Sequence, residues 1–199
     1  MNLVERVKQI LISPKTEWDV IKAETTTVQE IFTKYVIILA AIPAVAGFIG
    51  FSVFGLSYGF GSIHVPVGTG LLWAILTYIF NLAAVYIFAM VIDALAPSFG
   101  SAKDLTMSMK VVAYSYTASW IGGIFQIFPA LGIIGMFAGI YSLYLLYIGL
   151  RNLKDVPQEK MVGYYIVSLI VGIVIFMIIG AITSSIAFGG YMFSSNMMR

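Results

Sequence analysis

The chain has 199 residues, of which 60% are hydrophobic and only 10% charged, with a formal net charge of +2. Soluble domains carry about 25% charged residues, and no water-soluble fold of this length hides so much apolar surface, so lipid must cover it. The near-neutral charge balance gives nucleic acid no footing. The absence of cysteine excludes a disulfide framework or a thiolate metal site, a lone histidine, His64, argues against a histidine-built one, and no cofactor is implied.

Residues 1–34 form a first unit of mixed charge. Leu3, Val4, Val7, Ile10 and Leu11 fall at helical spacing, with Glu5, Arg6, Lys8 and Gln9 on the opposite face. Ser13 followed by Pro14 predicts a new helix, with the serine side chain as cap and proline at the first helical position. That helix carries Trp18, Val20 and Ile21. Thr27 and Glu30 have the spacing of a capping box that opens the helix leading into the first span. Two readings follow: interfacial helices lying on the cytoplasmic leaflet with Trp18 as anchor, or a cover over the cytoplasmic ends of the spans.

Residues 35–199 are predicted to be a five-span transmembrane domain, since about 20 apolar residues in a helix cross the hydrocarbon. The spans fall at about 35–56, 69–92, 111–128, 130–150 and 162–188. The first run is too long for a signal-peptide core, no small-residue cleavage motif follows it, and it should remain as a span. Pro129 separates the third from the fourth and makes a tight helical hairpin there. The fold class expected is all-α: a polytopic five-helix bundle with short amphipathic N-terminal helices. Ten of the 11 Lys and Arg residues precede the first span or follow the second and fourth; only Arg199 lies opposite. Positive charge stays inside, so the N-terminus is expected in the cytoplasm and the C-terminus outside.

Gly55-Leu56-Ser57-Tyr58-Gly59 matches a hydrolase pattern, with His64 nearby. A nucleophile elbow needs a strand-to-helix turn and a carboxylate behind the histidine. A Gly-rich loop with no strand and no acid on its side supplies neither, so no catalytic residue is assigned. Asp93 ends the second span, close enough to the interface to reach water or a cation such as Lys103 or Lys110.

Polar side chains within the spans need partners. Asn81 on the second span and Ser115, Ser119 and Gln126 on one face of the third form a candidate polar seam. The midpoints of these antiparallel spans place Asn81 level with Ser119, and a hydrogen bond between Asn81 and the Ser115–Ser119 stretch is expected. On the fourth span Gly135, Gly139 and Ser142 make a small-residue stripe, a candidate packing seam. Interhelical bonding is preferred to a solute pathway for the polar faces.

Three segments together carry a resemblance. Ser13–Ile21 reads SPKTEWDVI, Val111–Trp120 reads VVAYSYTASW, and Ile140–Leu150 reads IYSLYLLYIGL, followed after a charged link by Gly163-Tyr164. The chain resembles the YIP family, the Ypt/Rab-interacting-protein-like five-span membrane proteins, in its short bacterial branch, which implies a bacterial inner membrane. Eukaryotic members act in vesicle traffic and bind prenylated small GTPases through a long N-terminal region with an Asp-Leu-Tyr-Gly-Pro segment. This chain lacks that segment and has Ala113-Tyr114 where a Gly-Tyr pair is usual, so no GTPase binding is inferred. The expectation is a non-enzymatic membrane protein that organises or contacts other membrane components. Its partners would be lipids, other membrane proteins or a second copy. The rival is a small transporter or channel using the polar faces of the second and third spans.

Overall fold

The computed structural model describes residues 2–58 and 61–197. Asn2 caps the first helix, α1 (Leu3–Ile12), by accepting from the Val4 amide at 2.9 Å. Helix α2 (Pro14–Ala23) starts at Pro14 as expected, but the Ser13 hydroxyl does not cap it; the Thr16 hydroxyl instead donates to the Ser13 carbonyl. The Thr27–Glu30 capping box forms with both reciprocal bonds, at 3.2 and 3.3 Å, and opens α3 (Val28–Phe54).

A short antiparallel hairpin, Leu56–Tyr58 against Gly61–Ile63, follows. This corrects the strandless loop expected there, although the hairpin still provides no strand-to-helix turn for a nucleophile. Gly59, the last glycine of that motif, and the side chain of Ser57 lie outside the described residues. Gly55 leaves α3 at φ +75°, which glycine adopts without strain, and the His64 ring packs over it.

Helix α4 (Val67–Leu95) runs into a 3₁₀ turn at Ala96–Phe99. Asp104 caps α5 (Leu105–Ser115) through the Met107 amide, and α6 (Thr117–Gly122) continues into a 3₁₀ stretch at Gly123–Ile127. The chain turns at Pro129–Leu131, as the proline implied, into α7 (Gly132–Leu153) and α8 (Gln158–Met197).

The protein is an all-α membrane bundle. Among the described residues, four helices are long and apolar enough to cross a membrane: Val28–Phe54, Val67–Phe99, Gly132–Leu153 and Gln158–Ala187. The predicted third span is not a fifth such helix, which corrects the expectation of five continuous ones. It is interrupted at Tyr116, where the Thr117 hydroxyl takes the Tyr114 carbonyl at 2.7 Å. Tyr35 on α3 bonds that same hydroxyl at 2.6 Å and holds the interruption in place. Side-chain capture of a helix carbonyl is a standard cause of such kinks.

The interrupted segment runs from one end of the bundle to the other. At its start the Asp104 amide donates to Asp93 at 2.7 Å; at its finish the Phe128 ring lies 4.7 Å from Phe54. It is also the most enclosed part of the molecule, packed on α3, α4 and α7, with Ser108–Ser115 all buried. Irregular backbone at membrane depth is tolerated where protein, not lipid, surrounds it.

Candidate functional site

The N-terminal helices fold back over one end of the bundle. Trp18 is fully buried, edge-on to Tyr114 at 6.2 Å, in a slot that exists because residue 149 is glycine. A Cβ at Gly149 would stand 2.7 Å from the indole. This corrects the reading of Trp18 as an interfacial anchor: the ring plugs α2 onto α7, and α1 packs on α6 beside it. The Tyr141 hydroxyl adds a bond to the Leu11 carbonyl at 2.9 Å.

Charge locks the cap from below. Arg6 is buried, its guanidinium bonded to Glu17 and Glu24 and set 5.3 Å from the Tyr114 ring centre. Lys110 donates to the Ile21 and Glu24 carbonyls at 2.7 and 2.6 Å, the negative end of the α2 dipole. Beside Arg6 a pocket of about 310 Å³ opens among Glu24, Thr26, Glu30, Lys34 and Tyr114, with charges of both signs on its wall.

A second knot joins α4, α5 and the end of α7. Asp93 Oδ1 accepts from the Asp104 amide at 2.7 Å, Ser108 Oγ at 3.2 Å and Lys154 Nζ at 3.4 Å. Lys154 also reaches Ser108 Oγ at 3.0 Å and the Ala102 carbonyl at 3.2 Å. The cation that meets Asp93 is therefore Lys154, and not Lys103 or Lys110 as the sequence suggested. Burial holds the Lys154 amine below the ordinary lysine range, and the Asp93 charge opposes that shift. Such a pair is weak evidence of stability, because desolvation offsets its attraction, but it fixes which helix ends meet.

Within the bundle the two candidate seams fuse into one. Ser119 donates to Ser142 Oγ from its amide at 2.9 Å and from its hydroxyl at 2.8 Å. Gly122 stands against the Ala138 methyl, and a Cβ at Gly135 would come 3.6 Å from the Gly122 carbonyl. Gly135 and Ser142 thus pack α7 onto α6 inside the protomer. Gly139 does not join them; a Cβ there would meet nothing within 4 Å.

Asn81 takes no part in this seam, which corrects the Asn81–Ser119 bond. Its helix, α4, packs chiefly on α8, as the Tyr164 hydroxyl bond to the Ile92 carbonyl at 2.6 Å marks. Gln126 lies at the far end, its carbonyl against Gly50. Ser119→Cys with Ser142→Cys should therefore cross-link readily under mild oxidation, and Asn81→Cys with Ser119→Cys slowly; the opposite order would refute this packing.

Beside Gly139, α7 and α8 line a groove of about 420 Å³. Its walls include Tyr116, Ile140, Leu146 and Phe176; Ser115, Ser119 and Ser142 are its polar lining. Ser115 is 1% exposed and its hydroxyl has no partner among the described residues. Sequence spacing found all three serines and Gly139 but not that they share a groove, since that depends on how far α8 leans from α7.

Residues 8–181 match the Yip1 domain. The chain belongs to the Yip1 family. Inner membrane protein YohC of Escherichia coli K12 is 29% identical over 174 residues, covering 85% of this chain and 89% of that protein. Its counterpart in E. coli O6:H1 strain CFT073 is similar to the same extent. No solved structure matches the chain. The Yip1 match takes in α2, the first three long apolar helices and the fourth as far as residue 181, so Trp18, Lys110 and Lys154 lie inside the family's domain together with the serine groove. The expected family is thereby established, and with it an integral membrane protein whose relative is named for the inner membrane.

Proposed function

We propose that this Yip1-family protein is a non-enzymatic resident of a bacterial inner membrane that organises or contacts other membrane components. The observation that carries the reading is the groove between α7 and α8, whose rim residues Ile140, Leu143 and Ile173 are exposed midway along their helices. An opening of that kind admits something already dissolved in or spanning the bilayer. The ion pairs serve the opposite need, holding α1 and α2 fixed against the bundle helices. In this reading the chain crosses five times, the interrupted 105–127 segment being the third crossing, with the cap in the cytoplasm and the C-terminus outside.

The rival, a small transporter, draws less support. Its polar faces are those of the second and third spans, yet Ser119 pairs with Ser142 on α7, and Asn81 makes no hydrogen bond to it. The test pairs two measurements on the full chain. Native purification with mass spectrometry should recover a co-purifying lipid-soluble molecule or membrane protein, reduced when Gly139→Leu fills the groove. Liposomes should show no solute or ion flux above empty vesicles; flux abolished by Ser119→Leu would overturn the reading in favour of transport.

A further inference from the structure

Deepening that groove reading, on which it rests, we propose that the groove binds a quinone-type molecule: a flat apolar ring bearing a carbonyl oxygen, received by Ser115 and the Ser119–Ser142 pair.

The groove carries more donors than the protein uses. The Ser115 hydroxyl is buried on its floor with no acceptor among the described residues. The Ser119–Ser142 pair beside it holds two hydroxyl protons and uses one between them. An unmet hydroxyl in an apolar setting costs free energy, and lipid tails cannot relieve it. What is missing is an acceptor.

Depth selects the kind of molecule that brings one. Ser115 lies ten residues along α5 from Leu105, about 15 Å at the helical rise, below the layer where Asp93, Asp104 and Lys154 meet. That is roughly half of a ~30 Å hydrocarbon core. Phospholipid carbonyls sit at the edge of that core, so the acceptor must ride on an apolar body that travels deeper.

The walls favour a flat ring. Tyr116 and Phe176 stack at 5.0 Å with 29° between planes, and Phe88 meets Tyr116 edge-on at 6.5 Å. Gly139 leaves open space on the α7 side. A volume of about 420 Å³ falls in the usual range for small-molecule sites, about 300–1,000 Å³.

Trp120 supplies the probe, because its ring lies 5.9 Å from that of Tyr116, in the groove wall. The full chain in nanodiscs of E. coli phospholipid is titrated with decylubiquinone, whose ring quenches tryptophan emission. Quenching should saturate. Gly139→Leu, which places a side chain in the open groove, should raise Kd at least tenfold. Ser115→Ala should raise it about three- to tenfold, the worth of one hydrogen bond. Gly132→Leu, on the same helix but in open space outside the groove, should leave it unchanged. Decylbenzene, with the chain and ring but no carbonyl, should compete poorly.

Non-saturable quenching, or a Kd indifferent to Gly139→Leu, overturns the proposal. Equal competition by decylbenzene overturns it as well and leaves a plain acyl-chain groove. A membrane protein co-purifying through the groove, with no quinone effect, defeats the quinone assignment while the broader contact function stands.

Discussion

Replacing Arg6 by methionine is expected to release the N-terminal cap from the bundle. Arg6 is 3% exposed and its guanidinium is shared by Glu17 and Glu24 beneath the Tyr114 ring. Methionine keeps much of the stem's apolar contact but leaves the Glu17 carboxylate, itself 7% exposed, without a cation. Lys110, the other buried cation of this layer, is committed to the Ile21 and Glu24 carbonyls. Stranding one member of a buried ion pair costs about 3–5 kcal/mol. Glu24 is partly exposed and recovers water, so most of the penalty falls on Glu17.

The cheapest escape is for α1 and α2 to lift, which pulls Trp18 from its slot over Gly149. Trp18 emission should shift to the red and become accessible to a soluble quencher, with a lower Tm in detergent. Removing the stranded charge as well, with Arg6→Met and Glu17→Met together, should restore most of both. Unchanged emission and Tm in the single variant would mean that the pair does not hold the cap.

At the other end of the bundle, Gly50→Val is expected to displace the interrupted segment from α3. A Cβ at Gly50 collides with the backbone carbonyl of Gln126, and Gly123, three residues earlier in that segment, already stands where a Cβ would come 2.6 Å from the ring of Pro43. Both obstacles are rigid, one a backbone and the other a proline in mid-helix, so no side-chain rotation relieves the clash. Overpacking of this kind costs about 1–3 kcal/mol and occasionally more, and the upper end is expected here. Gly68, where a Cβ would meet nothing within 4 Å, is the control, and Gly68→Val should leave Tm unchanged. Equal Tm for the two variants would contradict the close approach of α3 to the segment.

Helix ends and lipid-facing helices were legible in the residues because their causes are local. The Thr27–Glu30 box, Pro14 and Pro129 act within a few residues of themselves. The four long helices face enough lipid for hydropathy to reveal them, from α3 to the outer flank of α8. The interrupted segment was only half legible, because protein surrounds it. Its length was readable, but its break rests on a Thr117 hydroxyl held by Tyr35, 82 residues away.

The candidate site shows the same division. Spacing along α7 puts Gly135, Gly139 and Ser142 on one stripe, of which Gly135 and Ser142 pack on α6 while Gly139 meets open space. It did not tell which helix would face it, so Asn81 was matched to Ser119 by depth when Ser142 was the true neighbour. For Trp18 the sequence leaves an interfacial anchor and a cover over the bundle both open, because an aromatic ring on a short amphipathic helix suits either, until Gly149 on a distant helix supplies a slot. Lys154 and Asp93, 61 residues apart, meet only through the order of the helix ends.

We propose a five-crossing bundle in which the interrupted segment is a span, the cap lies inside and the C-terminus outside. Four crossings would return the C-terminus to the cytoplasm, so its side of the membrane decides between the two. Alkaline phosphatase fused after Arg199 folds actively only outside the cytoplasm, and green fluorescent protein fused there fluoresces only within it. An active phosphatase fusion and a dark fluorescent one are predicted; a silent phosphatase with a bright fluorescent fusion would contradict the account.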